Sequence, residues 1–268
     1  MNGIARTAAL ISPRVATPAA PEFPSGRMLR PHWKASEDPM NRLLRVPAIL
    51  LALTATFALT GCGDDNDNPV APVSQASVMV VHASPNAPAV DLLVDNTIQG
   101  TGLAYPTNTA YLNVNAGTRN VKVNATGTTT TVINADLALT AGAHYTVFAA
   151  DSVSKIAPVV LTDDLTAPAS GKAHVRFVHL SPNAPAVDVA VTGGPVLFSN
   201  VAFKSGAAFL PVNAGTYDLE VRVAGTSTVA LAVPGVTLQA GKIYTVFAKG
   251  FLGGSGAQAL GAQIIANN

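Results

Sequence analysis

The residue types of a hydrolytic triad occur twice in this chain. His82-Ala-Ser84-Pro85-Asn86-Ala-Pro-Ala-Val-Asp91 returns as His179-Leu-Ser181-Pro182-Asn183-Ala-Pro-Ala-Val-Asp188, at an offset of 97 residues. Histidine as base, serine as nucleophile and aspartate as orienter would give acyl transfer. The spacing argues against that chemistry. Val78, Val80 and His82 share one face of a strand, as do Val175, Phe177 and His179, so each histidine follows the core face. Val90, Leu92 and Val94 carry the core face of the next strand, which sends Asp91 to the opposite side. No Gly-x-Ser-x-Gly elbow or other oxyanion arrangement is present. The segment therefore reads as a turn: Pro85 and Pro182 preset φ, Ser84, Asn86, Ser181 and Asn183 bond local backbone, and His82 with Asp91, like His179 with Asp188, pins the ends. No residue is assigned a catalytic role.

Metal chemistry has less support. Past the N-terminal segment the histidines are His82, His144, His174 and His179, and none pairs closely with another ligand on one strand face. His144 aligns with Ile243 in the second copy. Asp64, Asp65, Asn66, Asp67 and Asn68 resemble a calcium loop only in composition, because the glycine and the distal Glu are missing. Gly253 to Gly256 precedes neither a helix nor a lysine, so it reads as a loop and not a phosphate cradle. No metal and no cofactor is expected.

The elements that must position these residues are strands. Val, Thr and aromatic runs are separated every 8 to 12 residues or so by Gly, Pro, Asn or Asp clusters, the pattern of a sandwich or barrel. Val114-Asn-Ala-Gly-Thr118 returns at an offset of 98 and Tyr145-Thr-Val-Phe-Ala149 at 99, so the unit of duplication is a whole domain. In the strand after Gly117, Val121, Val123 and Ala125 match Leu219, Val221 and Val223, whereas Asn120, Lys122 and Asn124 match Asp218, Glu220 and Arg222. One face is apolar in both copies, which marks a half-buried strand. Leu139-Thr-Ala-Gly-Ala-His-Tyr145 and Leu238-Gln-Ala-Gly-Lys-Ile-Tyr244 look like the tyrosine corner of Greek-key sandwiches, giving Tyr145 and Tyr244 structural roles. The expected fold is all-β: two tandem immunoglobulin-like Greek-key sandwiches of seven or so strands each, over residues 76–164 and 172–268, joined by a linker at 165–171. Each copy carries a full set of strand signals, so Gly171 to Asn268 is expected to fold alone.

A strand ending in His, then Ser-Pro-x-Ala-Pro-x-Val-Asp, with Ala-Gly-x-x-Tyr-Thr-Val downstream, resembles the domain of unknown function 4397 of bacterial exported proteins. The resemblance spans both copies, roughly Ser74 to Asp164 and Gly171 to Asn268. It implies an extracytoplasmic β-sandwich and carries no activity, substrate or catalytic residue with it.

The N-terminal region specifies a compartment. Met40-Asn-Arg-Leu-Leu-Arg45 is basic, Val46 to Leu59 is an apolar run of 14 residues, and Leu59-Thr-Gly-Cys62 closes it. Such a run is too short for a bilayer core of about 30 Å and fits a signal peptide. The closing tetrad resembles a bacterial lipobox, which implies a signal peptide at 40–61, diacylation of Cys62 and a membrane as partner. Gly63, not Asp, follows the cysteine, which in Gram-negative lipoproteins resembles an outer-membrane address. Residues 1–39 lack apolar periodicity and are expected to be a mis-assigned start or a disordered leader, with Met40 as the true start. Residues 62–75 read as an acidic flexible tether.

Composition narrows the remaining classes. Apolar residues make up 49% of the 268 and charged residues 12%, against about 25% charge in an ordinary soluble domain. From Cys62 onward there are 9 basic and 12 acidic residues, which excludes a nucleic-acid binder working through a basic surface. Cys62 is the only cysteine, so disulfides are excluded. The sole tryptophan, Trp33, precedes the signal segment, leaving Tyr105, Tyr111 or Phe251 for sugar stacking. Thr128 to Thr131 reads as a solvated hairpin strand. The function expected is a lipid-anchored cell-envelope protein displaying two non-catalytic modules to an unidentified protein or glycan partner. An envelope serine hydrolase and a carbohydrate-binding module are the alternatives.

Overall fold

The computed structural model describes residues Ser74–Asn268. Cys62, the segments 1–39 and 40–61, and all but the end of the 62–75 tether lie outside the described residues. The first copy forms eight strands: β1 (Gln75–His82), β2 (Val90–Val94), β3 (Thr97–Leu103), β4 (Leu112–Asn115), β5 (Gly117–Ala125), β6 (Thr131–Leu139), β7 (His144–Ala150) and β8 (Ala157–Asp163). The second repeats them as β9 (Lys172–His179), β10 (Val187–Val191), β11 (Val196–Val201), β12 (Leu210–Asn213), β13 (Gly215–Val223), β14 (Val229–Leu238), β15 (Ile243–Lys249) and β16 (Gly261–Ala266). Each copy is a sandwich of two four-stranded sheets, ordered β4-β1-β7-β8 over β3-β2-β5-β6 and β12-β9-β15-β16 over β11-β10-β13-β14. Strands β1 and β7 run parallel, as do β9 and β15; every other strand pair in these sheets is antiparallel. The count is eight, where the turn spacing suggests seven or so, because the four-residue strands β4 and β12 are too short for their own periodicity to show.

The alternation expected after Gly117 is present. Val121 and Val123 in β5, and Leu219 and Val221 in β13, are buried, while Lys122 and Glu220 between them are only partly covered. Each sandwich encloses its own core, one built on Val78, Val80, Leu92, Val123 and Val147 and the other on Val175, Phe177, Val189, Val221 and Val246.

The copies are not separate bodies. A third cluster joins Met79, Val81, Ala83, Phe148, Ala150 and Val159 of the first copy to Val178, Leu180, Phe247 and Ile265 of the second. The Phe148 and Phe247 rings meet edge to face with centroids 5.5 Å apart, a favoured aromatic geometry. Strands β1, β7, β9 and β15 are thus buried on both faces, and both copies belong to one compact unit. A segment of Gly171 to Asn268 alone would expose Val178, Leu180 and Phe247, all 0% exposed in the intact protein.

A polar network crosses the same interface. The Arg176 guanidinium meets the Asp163 carboxylate at 2.5 Å, with both side chains almost completely buried. Asp163 Oδ2 also accepts hydrogen bonds from Tyr111 Oη and Thr146 Oγ1, at 2.5 and 2.7 Å. Arg176 Nε donates to Thr245 Oγ1, which donates to Asn267 Oδ1, and Asn267 Nδ2 donates to Tyr111 Oη. Burial beside the Asp163 carboxylate pushes the Tyr111 phenol above its ordinary value. The network is pseudo-symmetric. Asp163 lies opposite His144 in the β7–β8 pair, as Asn267 lies opposite Ile243, and Arg176 occupies the position of Met79. Only one ion pair forms because each copy keeps one charged member.

Candidate functional site

The repeated segment begins where β1 and β9 end. His82 and His179 are completely buried at the ends of these inner strands. Nε2 of His82 lies 2.9 Å from the Pro88 carbonyl oxygen and Nε2 of His179 2.8 Å from that of Pro185. A carbonyl only accepts, so these nitrogens carry the proton. Nδ1 accepts the amide of Ser84 in one copy and of Ser181 in the other, each at 3.3 Å. Both ring nitrogens are therefore occupied in the neutral form, and burial holds both imidazoles below their ordinary pKa. Tyr105 and Phe203 pack edge-on against the two rings.

The serine hydroxyls do not reach the histidines. Ser84 Oγ and Ser181 Oγ are buried without a protein hydrogen-bond partner among the described residues, and it is the backbone amide of each serine that faces the imidazole. A nucleophile needs an unprotonated base nitrogen aimed at its own hydroxyl and a path to substrate. Neither histidine offers the first, and both serines are 0% exposed.

Pro85-Asn86 and Pro182-Asn183 occupy the turn, but the asparagines act at long range. Asn86 Oδ1 accepts the amide of Val153 at 2.8 Å. Asn183 both accepts from the amide of Leu252 and donates to its carbonyl, at 2.8 and 2.9 Å. The turn is thereby clamped to the loop after β7 or β15, nearly seventy residues downstream. The expectation of local bonding fails because the turn bends toward that loop.

The aspartates work on the other sheet. Asp91 accepts the amides of Gly102 and Gly127 at 2.8 and 3.2 Å and the Thr126 hydroxyl at 3.0 Å. Asp188 accepts the amides of Asn200 and Gly225 at 2.7 and 2.8 Å. In both copies the carboxylate ties the third strand to the hairpin turn after the fifth, and these backbone donors hold its pKa below the ordinary value. Neither aspartate shares a hydrogen bond with a histidine, so Asp91 and Asp188 do not pin the turn ends as the sequence suggested. The tyrosines secure the opposite connections: Tyr145 Oη accepts the amide of Thr140 at 3.1 Å, and Tyr244 Oη that of Gln239 at 3.2 Å.

Other candidates are also placed. Tyr111 is partly buried and directs its hydroxyl into the interface between the copies. Tyr105 lies beneath the Lys249 ammonium, 5.5 Å from the ring centroid, and burial pushes its phenol up to about 12. Among the described residues no three His, Cys, Asp or Glu side chains gather at metal-ligand spacing.

The arrangement is that of a fused pair of β-sandwiches in which the repeated polar residues hold backbone together. Residues 76–190 and 181–268 match the family described as a domain of unknown function (DUF4397), and the chain belongs to that family. No curated protein matches it.

The buried neutral imidazoles make a pH prediction. Unfolding lets His82 and His179 recover an ordinary pKa near ~6.5. Below that pH the unfolded chain takes up protons that the folded chain refuses, so the contribution is complete above ~6.5 and is lost as pH falls through it. The melting temperature should drop between roughly pH 7.5 and 5, and the His82→Gln/His179→Gln double variant should show a shallower drop. An equal drop in that variant would contradict the assignment.

Proposed function

We propose that the protein is a lipid-anchored cell-envelope protein that displays its paired sandwiches for binding or scaffolding and carries out no catalysis. Acyl chains on Cys62 hold it in a membrane, the outer membrane by the Gly63 rule, and the acidic tether at 62–75 gives clearance. The observation that carries the non-catalytic reading is the engagement of both histidine nitrogens with backbone in each copy. The basic, apolar and Leu59-Thr-Gly-Cys62 elements, in that order, support the anchor.

Metabolic labelling with a fatty-acid analogue tests it. Cys62→Ser should abolish labelling and leave an uncleaved or soluble precursor. Undiminished labelling of the variant would overturn the anchor.

A further inference from the structure

The two copies differ most in the space between their sheets. In the first copy the sandwich core leaves a void of only about 20 Å³, room for about one water. In the second, the equivalent space is a cavity of about 350 Å³, within the range of small-molecule sites, roughly 300 to 1,000 Å³. The cavity runs inward from the Val191–Pro195 turn and the Pro211–Asn213 strand, past Leu197 and Val236.

Sequence differences explain the opening. In the first copy Ala135 faces Val121 and Leu137 faces Arg119. In the second, Val233 faces Leu219 and Val236 faces Tyr217, so one extra residue stands on β14. That extra residue makes a bulge at Pro234-Gly235, with the Gly235 amide held by Asp218 Oδ1 at 2.8 Å. Bulges bend an edge strand away from regular pairing. Side-chain size alone does not open the space: Leu92 and Leu137 are replaced by the smaller Val189 and Val236, but Val80 and Gly100 by the larger Phe177 and Phe198, which leaves the bulge as the cause. At the mouth, Arg119 of the first copy pairs with Asp95 and donates to the Asn115 carbonyl. Tyr217 takes over the bond to the equivalent Asn213 carbonyl, but Thr192 stands in place of Asp95, so the charge pair is gone.

The mouth carries one charge. Lys172 lines the cavity, donates to Asn213 Oδ1 at 2.7 Å, and has no ion-pair partner among the described residues. No acidic residue lines the cavity. An apolar slot with an ammonium at its entrance is complementary to a molecule with an apolar chain and an anionic head.

We infer that the second sandwich is a binding site for a single-chain fatty carboxylate, its chain between the sheets and its head group at Lys172. The first sandwich, closed by packing and by the Arg119–Asp95 pair, binds none. This deepens the binding reading above by naming a ligand class. Its failure would leave the Cys62 anchor, tested by labelling, untouched.

Calorimetric titration of decanoate into the full chain carrying Cys62→Ser provides the test, because that substitution keeps attached acyl groups out of the measurement. One molecule should bind per chain, and decanol and decylamine more weakly. Lys172→Met should weaken decanoate about threefold to fivefold, the scale of an exposed ion pair, without affecting decanol. Val236→Phe or Leu197→Trp, which fill the slot, should weaken both ligands at least about tenfold. Methyl NMR locates the ligand without any substitution: decanoate should shift Val191 and Val236 and leave Val94 and Val121 in place. No binding, two equivalent sites, shifts confined to the first copy, or equal affinity for decylamine would each overturn the inference.

Discussion

Replacing Arg176 with methionine, the residue at the equivalent position of the first copy, should cost about 3 to 5 kcal/mol of stability, because it leaves the Asp163 carboxylate buried without its counter-ion. Tyr111 and Thr146 still donate to that carboxylate, but two neutral donors do not replace a cation in a site closed to water. The companion substitution Asp163→Asn supplies the residue that the second copy carries at the matching position, Asn267. The Arg176→Met/Asp163→Asn double variant should therefore recover most of the loss, ending within about 1 to 2 kcal/mol of the natural chain, since removing both members of a buried pair is often close to neutral. Urea denaturation of the three variants measures this directly. A single substitution costing under about 1 kcal/mol would mean that water reaches the pair.

Truncation of the interface aromatics should be comparably severe. Phe148 and Phe247 are both 0% exposed and pack on each other between the copies. Phe247→Ala should cost about 3 to 5 kcal/mol through lost burial and the cavity left behind. The character of the transition is as informative as its midpoint. The two sandwiches share one apolar cluster, so the natural chain should unfold in a single calorimetric step, and Phe247→Ala should lower that step or split it in two. Two well-separated transitions in the natural chain would show that the copies are energetically independent.

Much of the sandwich was legible because its outer strands obey a period of two. β5 and β13 alternate in both copies, and comparing the copies gives the buried face without any coordinates. The inner strands do not alternate. Val78-Met79-Val80-Val81 is a continuous apolar run, and Tyr145-Thr-Val-Phe-Ala-Ala150 nearly so, the pattern of strands covered on both sides. Those runs were the available sign that a second surface lies against the β1 and β7 sheet, and hence that the two copies share a core. Arg176, a lone charge inside Val175-Arg-Phe-Val178, was the sign of a buried ion pair. Its partner could not be read, because Asp163 stands 13 residues upstream on the far edge of the other copy.

At the repeated turn, strand parity separated histidine from aspartate correctly in kind but not in detail. The periodicity of a strand tells which face a side chain leaves from, and so it placed the histidines inward. It does not tell what backbone comes near that face. The grip of Asp91 on Gly102 and Gly127 and of Asn183 on Leu252 depends on which strand and loops fold back onto that face. The cavity of the second copy was illegible for a related reason: the offset between the copies grows from 98 at Val121/Leu219 to 99 at Leu139/Leu238, so the sequence shows one inserted residue, but its place as a bulge at Pro234-Gly235 is visible only once the register of β13 against β14 is known.

On the function proposed, the twice-repeated His-x-Ser-Pro-Asn segment holds the sandwich together and performs no chemistry. Treatment of the folded chain with a fluorophosphonate probe, followed by peptide mapping, tests it most directly. The buried hydroxyls of Ser84 and Ser181, with both imidazoles already engaged by backbone, predict no adduct at either serine. A covalent adduct at Ser84 or Ser181 that disappears in His82→Ala or His179→Ala would contradict it.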